Sequence, residues 1–264
     1  MIQATYAVEA YNLSQASENK IHDDSVARRF GFEGGLVPGV EVYAYATHLA
    51  VARWGRSWLE GGSMSIRFLK PVYDGLTAIV TALDVPGEEA VALHVACNGT
   101  LSATARADIR APATDARGHL DGAAIASPLV DRPPADETSL AEGRLLRSPP
   151  QAIGAAELAD YLAAVREQHD LYERDGIVHP GQILRVCNLV LKENVLLPPW
   201  VHTGSQVQNL SLARVGETLE GRARIERNYK KKGHHLVDLD VLVTADTRPV
   251  ARVLHTAIYR LRGG

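Results

Sequence analysis

A short polar segment near the amino terminus carries the residue types that acid–base chemistry needs. It contains Ser17, Asn19 and His22. A histidine has an unperturbed pKa of about 6.5, so it can accept or release a proton near neutral pH. The serine hydroxyl and the asparagine amide can orient water, but neither is a base by itself. The segment therefore presents His22 as a candidate general base, with Ser17 and Asn19 as groups that position water.

A glycine-rich turn ending in Pro38-Gly39 follows this segment and opens the apolar stretch Val40–Trp54. A Pro-Gly turn of this kind predicts the start of a helix. The first N–H groups of a helix have no intrahelical partner, and the helix dipole is positive at that end. Such a tip can hold the negative charge that develops on a carbonyl oxygen. Gly39 has no Cβ, which predicts close approach of an acyl group to its N–H.

A histidine base commonly works with a carboxylate, and three acidic residues lie near His22 in the sequence. These candidates are Glu18, Asp23 and Asp24. Asp24 comes two residues after His22 and would point elsewhere on a helix. Glu18 would need a different backbone direction to reach the same place. The sequence leaves open whether His22 acts alone or with one of them.

The chain repeats itself, and this repeat predicts the elements that position the candidate residues. Gly39 and Gly181 are 142 residues apart, as are Gly62 and Gly204. Each copy reads as a Pro-Gly turn, a helix of about four turns and several alternating strands. The second helix is predicted within 182–197. The predicted strands are Tyr6–Tyr11, Ser63–Val72, Leu76–Val85, Ala90–Cys97, Leu101–Ile109, Ser205–Val215, Thr218–Tyr229, His234–Thr244 and Val250–Leu261.

One helix with a run of antiparallel strands is an α+β unit, and the helices are apolar on nearly all faces. We therefore expect a sheet curled around each helix, with both copies sharing one continuous sheet as a built-in dimer. The expected boundaries are 1–110 for the first repeat, 111–152 for a linker and 153–264 for the second repeat. The linker is rich in Ala, Pro, Asp and Gly, which predicts a segment that runs over the surface.

The segment from Ser17 to Asp24, the turn Gly34-Gly35-Leu36-Val37-Pro38-Gly39 and the run Phe68-Leu69-Lys70-Pro71-Val72 resemble one known family. The chain resembles the MaoC-like (R)-specific enoyl-CoA hydratases of the hot-dog fold, and its length suits a tandem, or double hot-dog, version. The resemblance implies that His22 is the catalytic histidine, Asn19 its supporting residue and Gly39 the oxyanion donor. Two positions depart from the family pattern. Ser17 stands where the family has a catalytic aspartate, and Lys20 stands where it has a proline.

The resemblance implies a hydro-lyase that adds water reversibly to an enoyl thioester, with coenzyme A or a carrier protein as part of the substrate and no separate cofactor. The second repeat has Ala164 at the position that corresponds to His22, so we expect it to shape the acyl pocket. Two alternatives remain open because of Ser17. They are a hot-dog acyl-CoA thioesterase, which would use the same oxyanion donor, and a non-catalytic acyl-thioester-binding subunit.

Composition narrows the function classes further. The net charge of −3 gives no signature of nucleic-acid binding. No apolar run approaches 18 residues and no secretory leader is evident, so we expect neither a membrane partner nor export. Cys97 and Cys187 form no disulfide or metal-binding pattern, which fits a reducing cytoplasm and a protein without a metal. The tandem chain could still pair with a second copy as a homodimer.

Overall fold

The structure is a computed structural model that describes residues 2–110, 120, 125–128 and 130–263. Its strands are β1 (Ile2–Glu9), β2 (Ser63–Phe68), β3 (Thr77–Asp84), β4 (Ala90–Cys97), β5 (Thr100–Asp108), β6 (Leu145–Arg147), β7 (Gln151–Ala152), β8 (Val201–Asn209), β9 (Thr218–Lys231), β10 (His234–Ala245) and β11 (Arg248–Arg260). Its helices are α1 (Asp24–Arg29), α2 (Gly39–Trp54), α3 (Arg56–Gly61), α4 (Ala155–Ala164), α5 (Leu171–Asp175) and α6 (Pro180–Lys192), with a short 3₁₀ helix at Lys20–His22.

The strands of the described residues form one antiparallel sheet. Its order is β1-β3-β4-β5-β2-β8-β11-β10-β9-β6, and β7 also pairs with β9. The first five strands belong to the first repeat and the rest to the second. This arrangement confirms the α+β architecture and the continuous sheet that the duplication predicts. The two sheet edges that would face solvent in separate repeats are used to join them.

The two long helices are buried because each has a sheet on one side and the other helix nearby. Helix α2 packs against strands of its own repeat and against α6. Eleven of its sixteen residues are buried, which agrees with its nearly uniform apolar sequence. Glu41 is the one carboxylate among the buried residues of this helix, and it has no exposed surface. Among the described residues, no helix is both long and apolar enough to cross a lipid bilayer.

Two expectations from the sequence differ from the structure. The second long helix ends at Lys192 rather than near Leu197. The side chain of Asn194 donates a hydrogen bond to the carbonyl of Val190 over 2.7 Å, which satisfies a carbonyl at the helix end. The predicted linker is also not wholly a surface segment, because β6 and β7 within it extend the sheet along β9. Its residues 111–119, 121–124 and 129 lie outside the described residues.

The junction between the repeats is the pairing of β2 with β8. Ile66 lies opposite Ser205 and Arg67 lies opposite Gly204. A Cβ built on Gly204 would lie 2.7 Å from the carbonyl oxygen of Ile66, which is closer than a methyl group can approach. The repeats therefore meet at a point where only a hydrogen atom fits between the two backbones.

We expect Gly204→Ala to lower the free energy of unfolding by about 1–3 kcal/mol, because the new methyl group must push β2 and β8 apart. Chemical denaturation followed by circular dichroism measures this loss. Gly61→Ala is the matched control, since a Cβ there meets nothing within 4 Å. Equal stabilities for the two variants would contradict the close approach at the junction.

Candidate functional site

A cavity of about 590 Å³ lies between the repeats, a volume within the usual range for small-molecule sites. Both halves of the chain contribute to it. The first repeat supplies the loop that holds the predicted catalytic residues and the start of α2, and the second supplies α4, α6 and the segment before β8. The lining residues used below are Ser17, Glu18, Asn19, His22, Pro38, Val40, Arg132, Glu157, Asp160, Tyr161, Gln182, Arg185, Lys192 and Trp200.

The ring of His22 is held in one orientation and one tautomer. Its Nδ1 lies 2.6 Å from the carbonyl oxygen of Leu36. A carbonyl can only accept, so Nδ1 carries the proton and donates it, which leaves a lone pair on Nε2. Burial lowers the pKa of His22, although the bond to Leu36 opposes the shift. The imidazole is therefore neutral at pH 7, with Nε2 as a proton acceptor.

Asn19 fixes the other side of the imidazole and ties it to the second repeat. Its side-chain Nδ2 lies 3.3 Å from Nε2 of His22 and donates to the carbonyl of Trp200 over 3.0 Å. The Oδ1 atom accepts from the N–H groups of Trp200 and Ile21. The structure therefore brings Asn19 and His22 together. Sequence reasoning did not identify Trp200, whose backbone holds Asn19 from 181 residues away.

The start of α2 is open on the side of the cavity. Pro38 occupies the N-cap position, and no side chain caps the first N–H groups. Pro38 and Val40 both line the cavity, so the helix tip reaches it between them.

Gly39 has a different packing role from the one predicted. A Cβ at Gly39 would lie 2.9 Å from both His202 Nδ1 and Phe68 Cε2, so the missing side chain makes room for these two rings rather than for an acyl group.

The corresponding start of α6 in the second repeat is closed. His179 is its N-cap, and its Nδ1 accepts the N–H of Gly181 over 3.0 Å. Gln182 completes a capping box. The hydroxyl of Tyr161 lies against Gly181, 2.0 Å from where a Cβ would be. Since its N–H is already bonded, Gly181 is a structural glycine, and the two helix tips are not equivalent.

Ser17 lines the cavity, and its hydroxyl donates to the carbonyl of Asn19 over 3.3 Å. The three carboxylates near His22 have other partners. Glu18 forms an ion pair with Arg132, and this contact lowers the pKa of Glu18.

Asp23 caps α1 through Ser25 and Val26, and Asp24 accepts the N–H of Gly35 over 2.7 Å. All three carboxylates therefore have partners other than His22, although Glu18 and Arg132 line the same cavity.

A buried carboxylate that the sequence did not indicate connects the two repeats. Glu167 lies 2.7 Å from Nδ1 of His48 and 3.4 Å from Nε2 of His179. Burial alone would raise the pKa of Glu167, but the hydrogen bonds from these two histidines hold it well below its usual value. Asp175, which lies closer to His179 in the sequence than Glu167 does, pairs with Arg174 instead.

His202 belongs to a separate buried set on β8 and β11. Its Nε2 lies 2.9 Å from Ser205 Oγ, which is 3.0 Å from Nδ1 of His255. The two rings stack with centroids 4.1 Å apart. Burial lowers the pKa of His202 and lowers that of His255 to about 3, so both stay neutral. The set packs behind the tip of α2 and supports it.

A second buried ion pair reaches the cavity. Nε of Arg185 on α6 donates to Oε1 of Glu41 on α2 over 2.6 Å. Burial raises the pKa of Glu41, an effect that the Arg185 guanidinium opposes. No sequence pattern indicates this pair, because its two members lie 144 residues apart.

We expect Glu167→Gln to lower the free energy of unfolding at pH 7 by about 1–3 kcal/mol, because a buried charged acceptor is lost between two histidines. The pKa of Glu167 is below its ordinary 4.5 in the folded chain, so its ionised form stabilises the fold above that pH. The gap between wild type and variant should narrow as the pH falls below 4.5. Glu60→Gln, which removes an exposed ion pair with Arg56, should cost less than about 0.5 kcal/mol at pH 7. A gap that does not depend on pH would contradict this role.

Comparison with known proteins finds similarity in structure alone. No protein-family model and no curated protein matches the chain. A conserved hypothetical protein of Mycobacterium tuberculosis with a double hot-dog fold aligns with a TM-score of 0.64 and 15% identity, covering 98% of this chain and 96% of its own. A MaoC domain dehydratase of Chloroflexus aurantiacus aligns with a TM-score of 0.63 and 13% identity, covering 99% and 96%.

A further solved structure, described as a MaoC-like dehydratase, aligns with a TM-score of 0.58 and 13% identity over 98% of both chains. These matches span nearly the whole of each chain, so both repeats and their order are shared. Identity at this level establishes architecture rather than activity. The chain therefore has the double hot-dog fold that is found in MaoC-like dehydratases.

Proposed function

We propose that the protein is an acyl-thioester hydratase or dehydratase that adds water reversibly to an enoyl-CoA. The observation that carries this proposal is that a neutral imidazole and the start of an uncapped helix lie at one cavity. His22 supplies the imidazole, and Pro38 and Val40, on either side of Gly39, line the cavity at the start of α2. The names of the solved structures with this fold point to the same reaction class.

The reaction needs a base for water and a partner for the thioester oxygen. In the hydration direction, a water molecule takes the place of the Asn19 contact at Nε2 of His22, and Nε2 removes a proton from that water as the water oxygen bonds to C3 of the enoyl group. The electrons of the C2–C3 double bond move towards the thioester carbonyl, whose oxygen becomes negative. The N–H of Gly39 at the tip of α2 stabilises that oxygen. The proton on His22 then passes to C2, which restores the thioester and the neutral imidazole.

The residues around His22 suit the role of a base. The bond from Nδ1 to Leu36 stabilises the imidazolium that forms when Nε2 accepts a proton. Asn19 holds the ring and, together with Ser17, can orient the attacking water. Among the described residues, no carboxylate is hydrogen-bonded to the His22 ring, so in this proposal one imidazole both removes the proton from water and delivers a proton to C2.

We expect wild type to consume crotonyl-CoA or a longer enoyl-CoA, measured as loss of absorbance of the enoyl-thioester band. His22→Ala should lower kcat/KM by about 10²–10⁴-fold, because it removes the proton acceptor. Because burial lowers the pKa of His22 below its ordinary 6.5, the fall in rate towards acid pH should have its midpoint below pH 6.5.

His94→Ala is the matched control, since His94 lies on β4 outside the cavity and should leave the rate unchanged. No turnover by wild type, or equal turnover by His22→Ala, would remove the hydratase proposal. Release of free thiol from saturated acyl-CoAs instead would assign the site to thioester hydrolysis.

A second candidate is an acyl-thioester-binding protein without turnover. The observation in its favour is that Ser17 replaces the carboxylate, and Glu18, Asp23 and Asp24 are held elsewhere. This candidate predicts binding of acyl-CoA by calorimetry with no product.

We expect Ser17→Asp to raise kcat/KM for enoyl-CoA hydration by at least about tenfold, because a carboxylate would share the proton transfers with His22. Ser17→Asn is the control, as it has nearly the same shape as the aspartate but cannot act as a base. An equal effect of the two variants would show that the charge at this position has no part in the chemistry. Loss of absorbance of the enoyl-thioester band measures kcat/KM for both variants.

A further inference from the structure

The wall of the cavity formed by the second repeat is more polar than a plain hydrocarbon chain requires. Residues on α4 and α6 that line it include Glu157, Asp160, Gln182 and Arg185. An acyl chain without oxygen atoms would displace water from these polar groups and could not replace the hydrogen bonds that the water makes. The central group in this wall is Arg185, whose side chain is 35% exposed and faces the space between α4 and α6.

Arg185 is fixed in place, with most of its donors unused. Its Nε donates to Glu41, a carboxylate with no exposed surface. Its guanidinium also lies over the ring of Tyr161, 5.0 Å from the centroid. Among the described residues, neither terminal nitrogen of Arg185 has a hydrogen-bond acceptor, although a guanidinium carries five N–H groups. A planar donor group held by one edge presents its other N–H groups to a ligand.

The same wall carries unpaired buried atoms. Oε2 of Glu41, the hydroxyl of Tyr161 and Oδ1 of Asn188 are all inaccessible to solvent and have no hydrogen-bond partner. Buried polar groups are nearly always paired, so these atoms show that the wall beside Arg185 contains polar groups that the fold itself does not satisfy. The three residues surround Arg185 on α2, α4 and α6.

The charges around Arg185 select the type of ligand. Glu41 already neutralises the guanidinium, and the other two cations at the cavity, Arg132 and Lys192, are paired with Glu18 and Glu193. Glu157 and Asp160 on α4 line the same cavity and add negative charge. A carboxylate on the ligand would therefore meet an excess of negative charge. A neutral oxygen, such as a hydroxyl or a ketone, can accept the free N–H groups without that repulsion.

We propose that Arg185, held by Glu41, selects acyl thioesters whose chain carries a neutral oxygen substituent remote from the thioester. This inference rests on the proposed function, because it takes the cavity as an acyl-thioester site. Arg185 is a specificity-determining residue here. It acts on the chain, whereas the chemistry takes place at His22.

Binding of non-reacting saturated thioesters tests this inference apart from catalysis. Isothermal calorimetry would compare octanoyl-CoA with its isomers hydroxylated at carbons 5 to 8, with a 7-oxo analogue and with the mono-CoA thioester of octanedioic acid. We expect at least one hydroxy or oxo compound to bind wild type at least tenfold more tightly than octanoyl-CoA. The dicarboxylic thioester should bind more weakly than that compound.

Arg185→Met keeps an unbranched apolar side chain but removes its donors, and it should abolish the preference. Lys192→Met is the matched control, because it removes a cation from the same helix at the same cavity and should retain the preference ratio. A wild type that binds octanoyl-CoA as tightly as every oxygenated compound would overturn the inference, even if Arg185→Met did not fold. Retention of the preference by a folded Arg185→Met, or tightest binding of the dicarboxylic thioester, would also overturn it.

The hydration assay with His22→Ala separates this result from the proposed function. Turnover of enoyl-CoA without a preference in binding would overturn only the role of Arg185. A preference for oxygenated chains without turnover would overturn only the hydratase proposal.

Discussion

The pairing of β2 with β8 is the contact on which the rest of the structure depends. It joins two curled sheets into one and brings α2 and α6 together between them. The cavity exists because these helices and their flanking loops meet across that junction. Neither repeat contains the cavity alone, since its walls come from both. The backbone of Gly204 sets how closely the two halves approach.

The two corresponding helix starts differ in how their first N–H groups are satisfied. At α2 the N-cap is Pro38, which has no side chain that can accept the free N–H groups. At α6 the N-cap is His179, which takes the N–H of Gly181 and is itself held by Glu167. A helix tip whose donors are satisfied internally cannot stabilise an oxyanion. The second repeat therefore contributes walls and supporting contacts, including the Arg185–Glu41 pair.

The sequence predicted the architecture well because the signals for it are local or repeated. Alternating residues mark strands such as β4 at Ala90–Cys97, and the recurring Pro-Gly turns mark both long helices. The predicted end of α6 lies too far along the chain because apolar residues continue to Leu197. The side-chain hydrogen bond of Asn194 to the carbonyl of Val190, near the actual end, leaves no pattern in the sequence. Short strands such as β6 were missed because they form by pairing with β9, which is distant in sequence.

The candidate site was predictable only where its residues are neighbours in the chain. Asn19 and His22 lie three residues apart and do meet in the structure. Partners that come from the other repeat, such as Glu41 with Arg185, gave no sequence pattern because their contact is made only by the fold. Gly39 was correctly placed at the helix start, but the reason for its small size lies in Phe68 and His202, which pack behind it.

The two hydrogen bonds between the Trp200 backbone and the Asn19 side chain make the first repeat depend on a loop of the second. The only lone pair of the His22 imidazole faces an amide whose position is set by main-chain atoms of Trp200, just ahead of β8. An insertion or deletion in that segment of the second repeat would move Asn19 and with it the contact at the His22 ring in the first repeat.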